Sequence, residues 1–307
     1  MRFAQKLFIS ALALLSVQVS HAADFLYLVE QGGNKVSRYF TDGTVDDANF
    51  ITGVSTPSHM AFDSSLNIYL TGFTSGYVAK YALDGTVINS NFLTSGLANP
   101  SGIAVNPSNG EIFVVNNGNN QVSKYQADGV LINATFQNVA TSPDGILLEG
   151  NDMLVVRWAS SAVGRYTNTG VNGSTVNATF MTSNVPTWRP FSIAKDSLGN
   201  YFVSGSDRVL KFDSSGVQDT GWVINYTGAY GLAIDSQDNI YVGAYGGTSI
   251  GKFASTGATI NANFITGVSS VTSIAIQQNV PEPSTYALVG IAALVMGAAS
   301  KRKRSKA

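Results

Sequence analysis

"VSKYQADG", residues 122–129, is one of six copies of a single eight-residue line, and the copies decide the fold. The others are "VSRYFTDG" (36–43), "VAKYALDG" (78–85), "VGRYTNTG" (163–170), "VLKFDSSG" (209–216) and "IGKFASTG" (250–257). Each reads as a β-branched residue, any residue, a base, an aromatic, two variable residues, a small polar residue and glycine. The aromatics Tyr39, Tyr81, Tyr125, Tyr166, Phe212 and Phe253 lie 42, 44, 41, 46 and 41 residues apart. A fixed period of this length marks a repeat architecture, and it outranks any local reading of secondary structure.

Working outward, a short β-rich run precedes every copy: "FLYLV" from Phe25, "IYLTG" from Ile68, "IFVVN" from Ile112, "MLVVR" from Met153, "YFVSG" from Tyr201 and "IYVGA" from Ile240. An aromatic follows each glycine (Phe50, Phe92, Phe136, Phe180, Trp222, Phe264), and then a second β run such as "MAFD" from Met60 or "IAVN" from Ile103. With Asp-Gly turns between them, this makes four strands per period. A four-stranded unit cannot bury both its faces alone, and arranging units radially about a channel solves the problem while leaving only short edges. Residues 24–277 hold six such units. The expected fold is all-β, a six-bladed β-propeller of four-stranded blades. The first unit lacks a preceding "IAxD"-type strand and the last such run, Ile274–Gln277, has no successor, so the two should pair and clasp the ring. No long 3.6-residue pattern supports a helical solenoid.

The ends of the chain stand apart from the repeats. Residues 1–22 read as a signal peptide, with Arg2 and Lys6 before an apolar run and Ser20 and Ala22 at a cleavage site after Ala22. At the other end, residues 279–285 form a linker holding Pro281-Glu282-Pro283, residues 286–300 an apolar segment and residues 301–307 a basic tail. Tyr286–Ala299 would make about 21 Å of helix against about 30 Å of bilayer hydrocarbon, a weak transmembrane anchor. The basic tail would hold the cytoplasmic side, leaving the body, residues 24–278, outside the inner membrane.

Without these ends, the chain's net charge of −1 becomes about −7, from eleven basic and eighteen acidic residues. That balance excludes a nucleic-acid partner, which needs a basic surface to displace counterions. Cysteine is absent and His59 is the body's one histidine, so thiolate sites and multi-histidine zinc sites are excluded.

The loops leading into the innermost strands and those between the second and third strands should line one mouth of the channel. The first set offers His59, Asp144, Trp188, Arg189, Phe191 and Tyr230; the second offers Asn116, Asn117, Arg157, Trp158 and Tyr245. Aromatic faces with planar amides and a few charges suit a polysaccharide. Taken singly, such residues are also what turns require for backbone reasons. His59 replaces the Gly or Ser of the other units, but no G-x-S-x-G accompanies it, so no catalytic residue is assigned. Asn106, Glu149, Asp196 and Asp235 sit at the far ends of the innermost strands, away from this mouth, and "DGTVDD" from Asp42 lacks the oxygens of a calcium loop. Neither a metal nor another cofactor is expected. The bases Arg38, Lys80, Lys124, Arg165, Lys211 and Lys252 are expected to lay their stems between blades with their heads in water.

The repeated lines resemble the NHL-type propeller repeats, which read P-x-G-I-A-V-D, then I-Y-V, then V-x-x-F-x-x-x-G. "NPSGIAVNPSNGEIFVVNNGNNQVSKYQADG", residues 99–129, matches best, and the fourth unit, "SPDGILLEGNDMLVVRWASSAVGRYTNTG", departs most. The resemblance implies a propeller with a binding face at one mouth. The tail resembles the PEP-CTERM sorting signal of Gram-negative bacteria, which implies that Pro281, Glu282 and Pro283 are recognised by an exosortase in a system linked to exopolysaccharide export. The resulting expectation is an exported, envelope- or matrix-associated, non-enzymatic binding or scaffold protein for exopolysaccharide or an envelope protein. The alternative is a metal-dependent hydrolase or lyase of the lactonase-like propellers, whose relatives hold a divalent metal with inward Glu, Asn and Asp.

Overall fold

The computed structural model describes residues 24–185 and 187–277, and all its regular elements but one short 3-10 turn are β-strands. Blade 1 holds β1 (Phe25–Glu30), β2 (Lys35–Phe40) and β3 (Val45–Thr52). Blade 2 holds β4 (Pro57–Phe62), β5 (Ile68–Gly72), β6 (Tyr77–Tyr81) and β7 (Val87–Leu93); blade 3 holds β8 (Pro100–Val105), β9 (Ile112–Asn116), β10 (Gln121–Tyr125) and β11 (Leu131–Asn138). Blade 4 holds β12 (Pro143–Glu149), β13 (Asp152–Arg157), β14 (Ala162–Thr167) and β15 (Thr175–Thr182). Blade 5 holds β16 (Pro190–Lys195), β17 (Tyr201–Gly205), β18 (Arg208–Phe212) and β19 (Gln218–Asn225). Blade 6 holds β20 (Ala229–Ile234), β21 (Ile240–Ala244), β22 (Ser249–Phe253) and β23 (Thr259–Thr266), and β24 (Val271–Gln277) follows. The strands form six four-stranded antiparallel sheets, with β24 completing blade 1 in the order β24-β1-β2-β3. Each innermost strand touches the next around the axis, and β24 touches β4, so the ring is closed.

The second strand of each blade lies between two neighbouring blades, and β5, β9, β17 and β21 are buried along their whole length. Burial on both faces explains why these runs are continuously apolar rather than alternating. The cores lie between blades: Tyr27 and Val29 of blade 1 pack with Met60 and Leu70 of blade 2, and Leu26 and Leu28 pack with Tyr241 and Ile250 of blade 6. Each such side chain contributes about 1.5–3 kcal/mol.

The clasp forms where the sequence places it and runs further. Leu28 faces Ile274 and Phe25 faces Gln277, and the pairing continues back to Val271 past a register shift at Glu30. The Tyr27 hydroxyl donates to Gln277 Oε1 at 2.8 Å, closing the seam with a side-chain bond.

Five of the six bases, all but Lys211, correct the expectation that their heads lie in water. Register sets Tyr27 opposite Arg38, Tyr69 opposite Lys80, Phe113 opposite Lys124 and Tyr241 opposite Lys252. The outer-strand aromatic closes the other side: Lys80 Nζ is 4.9 Å from the Tyr69 ring and 5.1 Å from Phe92, and Lys252 Nζ is 5.0 Å from Tyr241 and 4.9 Å from Phe264. Lys124 is only 2 % exposed and also pairs with Glu111 at 2.9 Å. A desolvated cation between rings is worth about 2 kcal/mol, so the bases serve blade structure rather than a positive ring.

The carboxylates at the far ends of the innermost strands close turns. Asp235 Oδ1 accepts from the Gln237 and Asn239 backbone N–H groups at 2.9 and 2.8 Å, and Oδ2 accepts from the Asn239 amide and the Tyr241 hydroxyl at 2.9 and 3.0 Å. Asp196 repeats the backbone and amide bonds, Asn106 accepts from Ser108, and Glu149 binds Arg165, Tyr201 and Lys195.

The signal peptide 1–22, the Pro281-Glu282-Pro283 motif, the apolar segment 286–300 and the basic tail lie outside the described residues. Among the described residues, no helix is long and apolar enough to cross a membrane.

Candidate functional site

Register places the start of each innermost strand beside the end of the second strand, as in Pro57 opposite Gly72 and Pro143 opposite Arg157, so the two loop sets share one mouth. Five innermost strands begin just after a residue with positive φ: Thr56, Asn99, Ser142, Gly228 and Ser270. β16 does not, and the link from β15 to it is correspondingly longer.

The third position of the innermost strand faces the axis and is His59, Gly102, Gly145, Ser192, Gly231 and Ser273 in turn. Glycine is required where strands crowd: a Cβ on Gly145 would come within 2.5 Å of the Phe191 carbonyl. His59 is the one bulky residue of this set, and it lines an axial chamber of about 110 Å³ with Ser192, Ser273 and aliphatic side chains including Ile146 and Leu232.

Three alternate blades meet beside His59. Tyr230 of blade 6 donates its hydroxyl to Asp144 of blade 4, and His59 Nδ1 of blade 2 lies 3.9 Å from Asp144 Oδ1 and 3.1 Å from Ser58 Oγ. His59 Nε2 and Asp144 Oδ1, both buried, have no hydrogen-bond partner. Burial pushes the Asp144 carboxyl up to about 7 and the His59 imidazole down to about 4, and it holds the Tyr230 phenol well above its ordinary range. From about pH 4 to about pH 7 the acid is therefore protonated and the imidazole neutral, so Asp144 exchanges its proton near neutral pH while His59 stays uncharged.

Above the chamber lies an aromatic surface. Phe191 stacks on Tyr230 at 4.2 Å and 11°, and Tyr245, 56 % exposed, lies 5.8 Å from Tyr230. Ser204 donates to the Tyr230 carbonyl at 2.5 Å, fixing the backbone that carries the ring. Between blades 4 and 5 a cleft of about 280 Å³ is lined by Trp158, Ala159, Ser161, Thr187 and Arg189. Trp158 rides on the 3-10 turn Trp158–Ser160, and the Arg189 guanidinium sits 5.3 Å over its ring. Ser161 Oγ donates to the Trp188 carbonyl at 2.6 Å and ties the two loops together.

Of the residues the sequence nominates, Trp158, Arg189, Tyr230 and Tyr245 surround the mouth, and His59 and Asp144 lie below them in the channel. Asn117 is half-buried and donates to the Pro143 carbonyl at 3.0 Å, bridging blades 3 and 4. Three nominations are corrected. Asn116, 0 % exposed, uses its amide on Ser123, Gly96 and Ala98 to hold the loop from β7 to β8. Arg157, 4 % exposed, donates to the Ala178 carbonyl inside its own blade. Trp188, 0 % exposed, fills the core beside Phe212, where a Cβ on Gly205 would come within 2.1 Å of its indole nitrogen. Sequence reasoning missed Ser161 and Thr187 in the cleft, small polar loop residues that carry no sequence signal of their own.

Comparison with known families bears directly on this fold and tail. The NHL repeat family matches residues 97–125, and the PEP-CTERM protein-sorting motif matches residues 279–303. The chain is a six-bladed propeller that carries an NHL repeat and a PEP-CTERM sorting motif. This signal marks the propeller for export and for processing by an exosortase. No curated protein matches it in sequence. Solved structures similar to it include a chain of the nidogen/laminin complex (TM-score 0.66, 14 % identity, covering 82 % of this chain and 98 % of that one). A streptogramin B lyase (TM-score 0.54, 15 % identity, 83 % and 79 %) and a gluconolactonase from Xanthomonas campestris (TM-score 0.54, 14 % identity, 71 % and 78 %) are similar too. At such identities the likeness speaks to the fold.

Proposed function

We propose that this exported propeller is a non-enzymatic binding protein that holds a polysaccharide across its mouth. On this reading the segment 286–300 anchors it in the inner membrane until an exosortase acts at Pro281-Glu282-Pro283, after which it resides in the envelope or extracellular matrix. The observation that carries the reading is the aromatic surface of Phe191, Tyr230, Tyr245 and Trp158, confined to one end of the ring and to blades 4 to 6. In a repeat protein the other units act as internal controls, and among the mouth loops of blades 1 to 3 a ring occurs in blade 2 alone, as Phe73. Aromatic faces stack on the C–H faces of sugars. Titration of the purified protein with oligosaccharides tests this: Tyr245→Ala and Trp158→Ala should each weaken binding about tenfold, the equivalent of about 1.4 kcal/mol, with unchanged thermal unfolding. Equal binding by wild type and both variants overturns it.

One observation favours a second reading, a hydrolase or lyase. The Tyr230, Asp144 and His59 group supplies a carboxylic acid poised near neutrality, with a neutral imidazole 3.9 Å away, beside a surface fit to hold a sugar. The donor set does not fit the divalent metal of lactonase-like propellers: no group of three His, Asp or Glu converges among the described residues, and the inward Asp196 and Asp235 are spent on turns. The reaction would therefore be acid–base chemistry by Asp144 with His59. Loss of polysaccharide turnover in Asp144→Asn, with binding retained, supports this reading; no turnover by wild type dismisses it.

A further inference from the structure

Two departures from the repeat face each other across one cleft. The loop between second and third strands is "QGGN" (31–34) in blade 1, "FTSG" (73–76) in blade 2, "NGNN" (117–120) in blade 3 and "YGGT" (245–248) in blade 6, but in blade 4 it carries Trp158 on the one 3-10 turn of the described residues. The loop into the innermost strand contains a base only in blade 5, where it is Arg189. The remaining blades close the same joint without either residue, so the fold does not demand them.

Among the described arginines, Arg189 is also set apart by what it lacks. Arg38, Lys80, Lys124 and Arg165 pair with carboxylates, Arg157 donates to a carbonyl, and the neighbouring Asp207 is taken by Arg208 at 2.6 Å. The exposed Arg189 guanidinium has no carboxylate or hydrogen-bond partner among the described residues, and its ring contact is Trp158. A guanidinium lying over a ring keeps its N–H donors in its own plane, free for a bidentate anion. The cleft of about 280 Å³ thus combines a flat apolar platform, an unspent planar cation and the hydroxyls of Ser161 and Thr187.

We infer that this cleft between blades 4 and 5 is a subsite for a uronic-acid residue, with the sugar face on Trp158 and its carboxylate forked by Arg189. The inference rests on the proposed polysaccharide reading and narrows it to acidic polymers. The body is acidic overall, yet at physiological salt charges more than about 8 Å apart are screened, so recognition is a contact effect at Arg189.

Calorimetric titration with oligogalacturonate and with its methyl ester separates charge from ring stacking. Wild type should bind the free acid about tenfold or more tightly than the ester, as a charge-assisted pair requires. Arg189→Gln should weaken binding of the free acid far more than that of the ester and so remove the preference, Arg189→Lys should keep part of it, and Trp158→Ala should weaken both ligands. Equal affinity for acid and ester, or a preference that survives Arg189→Gln, overturns the inference. If neutral oligosaccharides bind through Tyr245 and no acid preference appears, the uronate subsite falls and the polysaccharide reading stands; if no oligosaccharide binds, both fall.

Discussion

At the far end of the channel, Asp63, Asp196 and Asp235 repeat one arrangement in blades 2, 5 and 6, each accepting two backbone N–H bonds and an asparagine amide to close a turn. At the mouth the second residue of the innermost strand is Ser58, Ser101, Asp144, Phe191, Tyr230 and Thr272 in succession, so the blades disagree in size and charge. The units share one backbone, and agreement therefore marks what the backbone needs. Disagreement, with buried polar atoms left unpartnered at His59 and Asp144, marks what it does not need.

The sharpest break of this comparison comes from the two tryptophans. Trp188→Ala, in the core, should cost about 3–5 kcal/mol in chemical denaturation, although the residue stands beside the mouth. A smaller but more diagnostic effect concerns pH. Between about pH 4 and its ordinary 6.5, His59 is protonated more readily unfolded than folded, so its contribution to stability rises with pH. Asp144 does the reverse: its folded form holds the proton up to about 7, so its contribution falls as pH rises from about 4 to about 7. The two nearly cancel in the wild type. Asp144→Asn should unmask stability rising with pH from 4 to 6.5, and His59→Gln should unmask stability falling, each on the order of 3 kcal/mol across the window; flat profiles for both variants refute the buried pair.

At the far end, Asp235→Ala should cost about 2–3 kcal/mol through the stranded donors, with ligand binding untouched. The smallest effect belongs to Trp158→Ala, which should change stability by less than about 0.5 kcal/mol and register only in binding. If Trp158→Ala destabilises as much as Trp188→Ala, the division between fold and mouth fails.

The six copies of the base–aromatic line made the ring, its four-stranded units and the clasp at Ile274–Gln277 legible in the sequence, because strand period and repeat period point to the same answer. The mouth was legible only in part. Asn116 and Arg157 end their second strands as Glu30, Gly72, Gly205 and Ala244 do, a position so chemically mixed that it reads as variable surface, yet in Glu30, Asn116 and Arg157 the polar side chain is folded inward to hold a loop or outer strand. Trp188 was misplaced because the 46-residue spacing from Tyr166 to Phe212 reveals extra residues but not which of them turns inward. The aromatic partners of the bases come from register, as Tyr69 beside Lys80 shows, and a repeat period alone does not set register.

Phe25 and Gln277 are the last register partners of the clasp, so the folded chain begins and finishes at a single point on the ring. Tension arriving along the segment after Gln277 acts on an antiparallel pair from its end and peels it one bond at a time. Its first obstacle is the bond from Tyr27 to Gln277. The expected outcome of a pull on the tail is that the circle opens at this seam before any of the other five sheets, which force spectroscopy on the full chain would check.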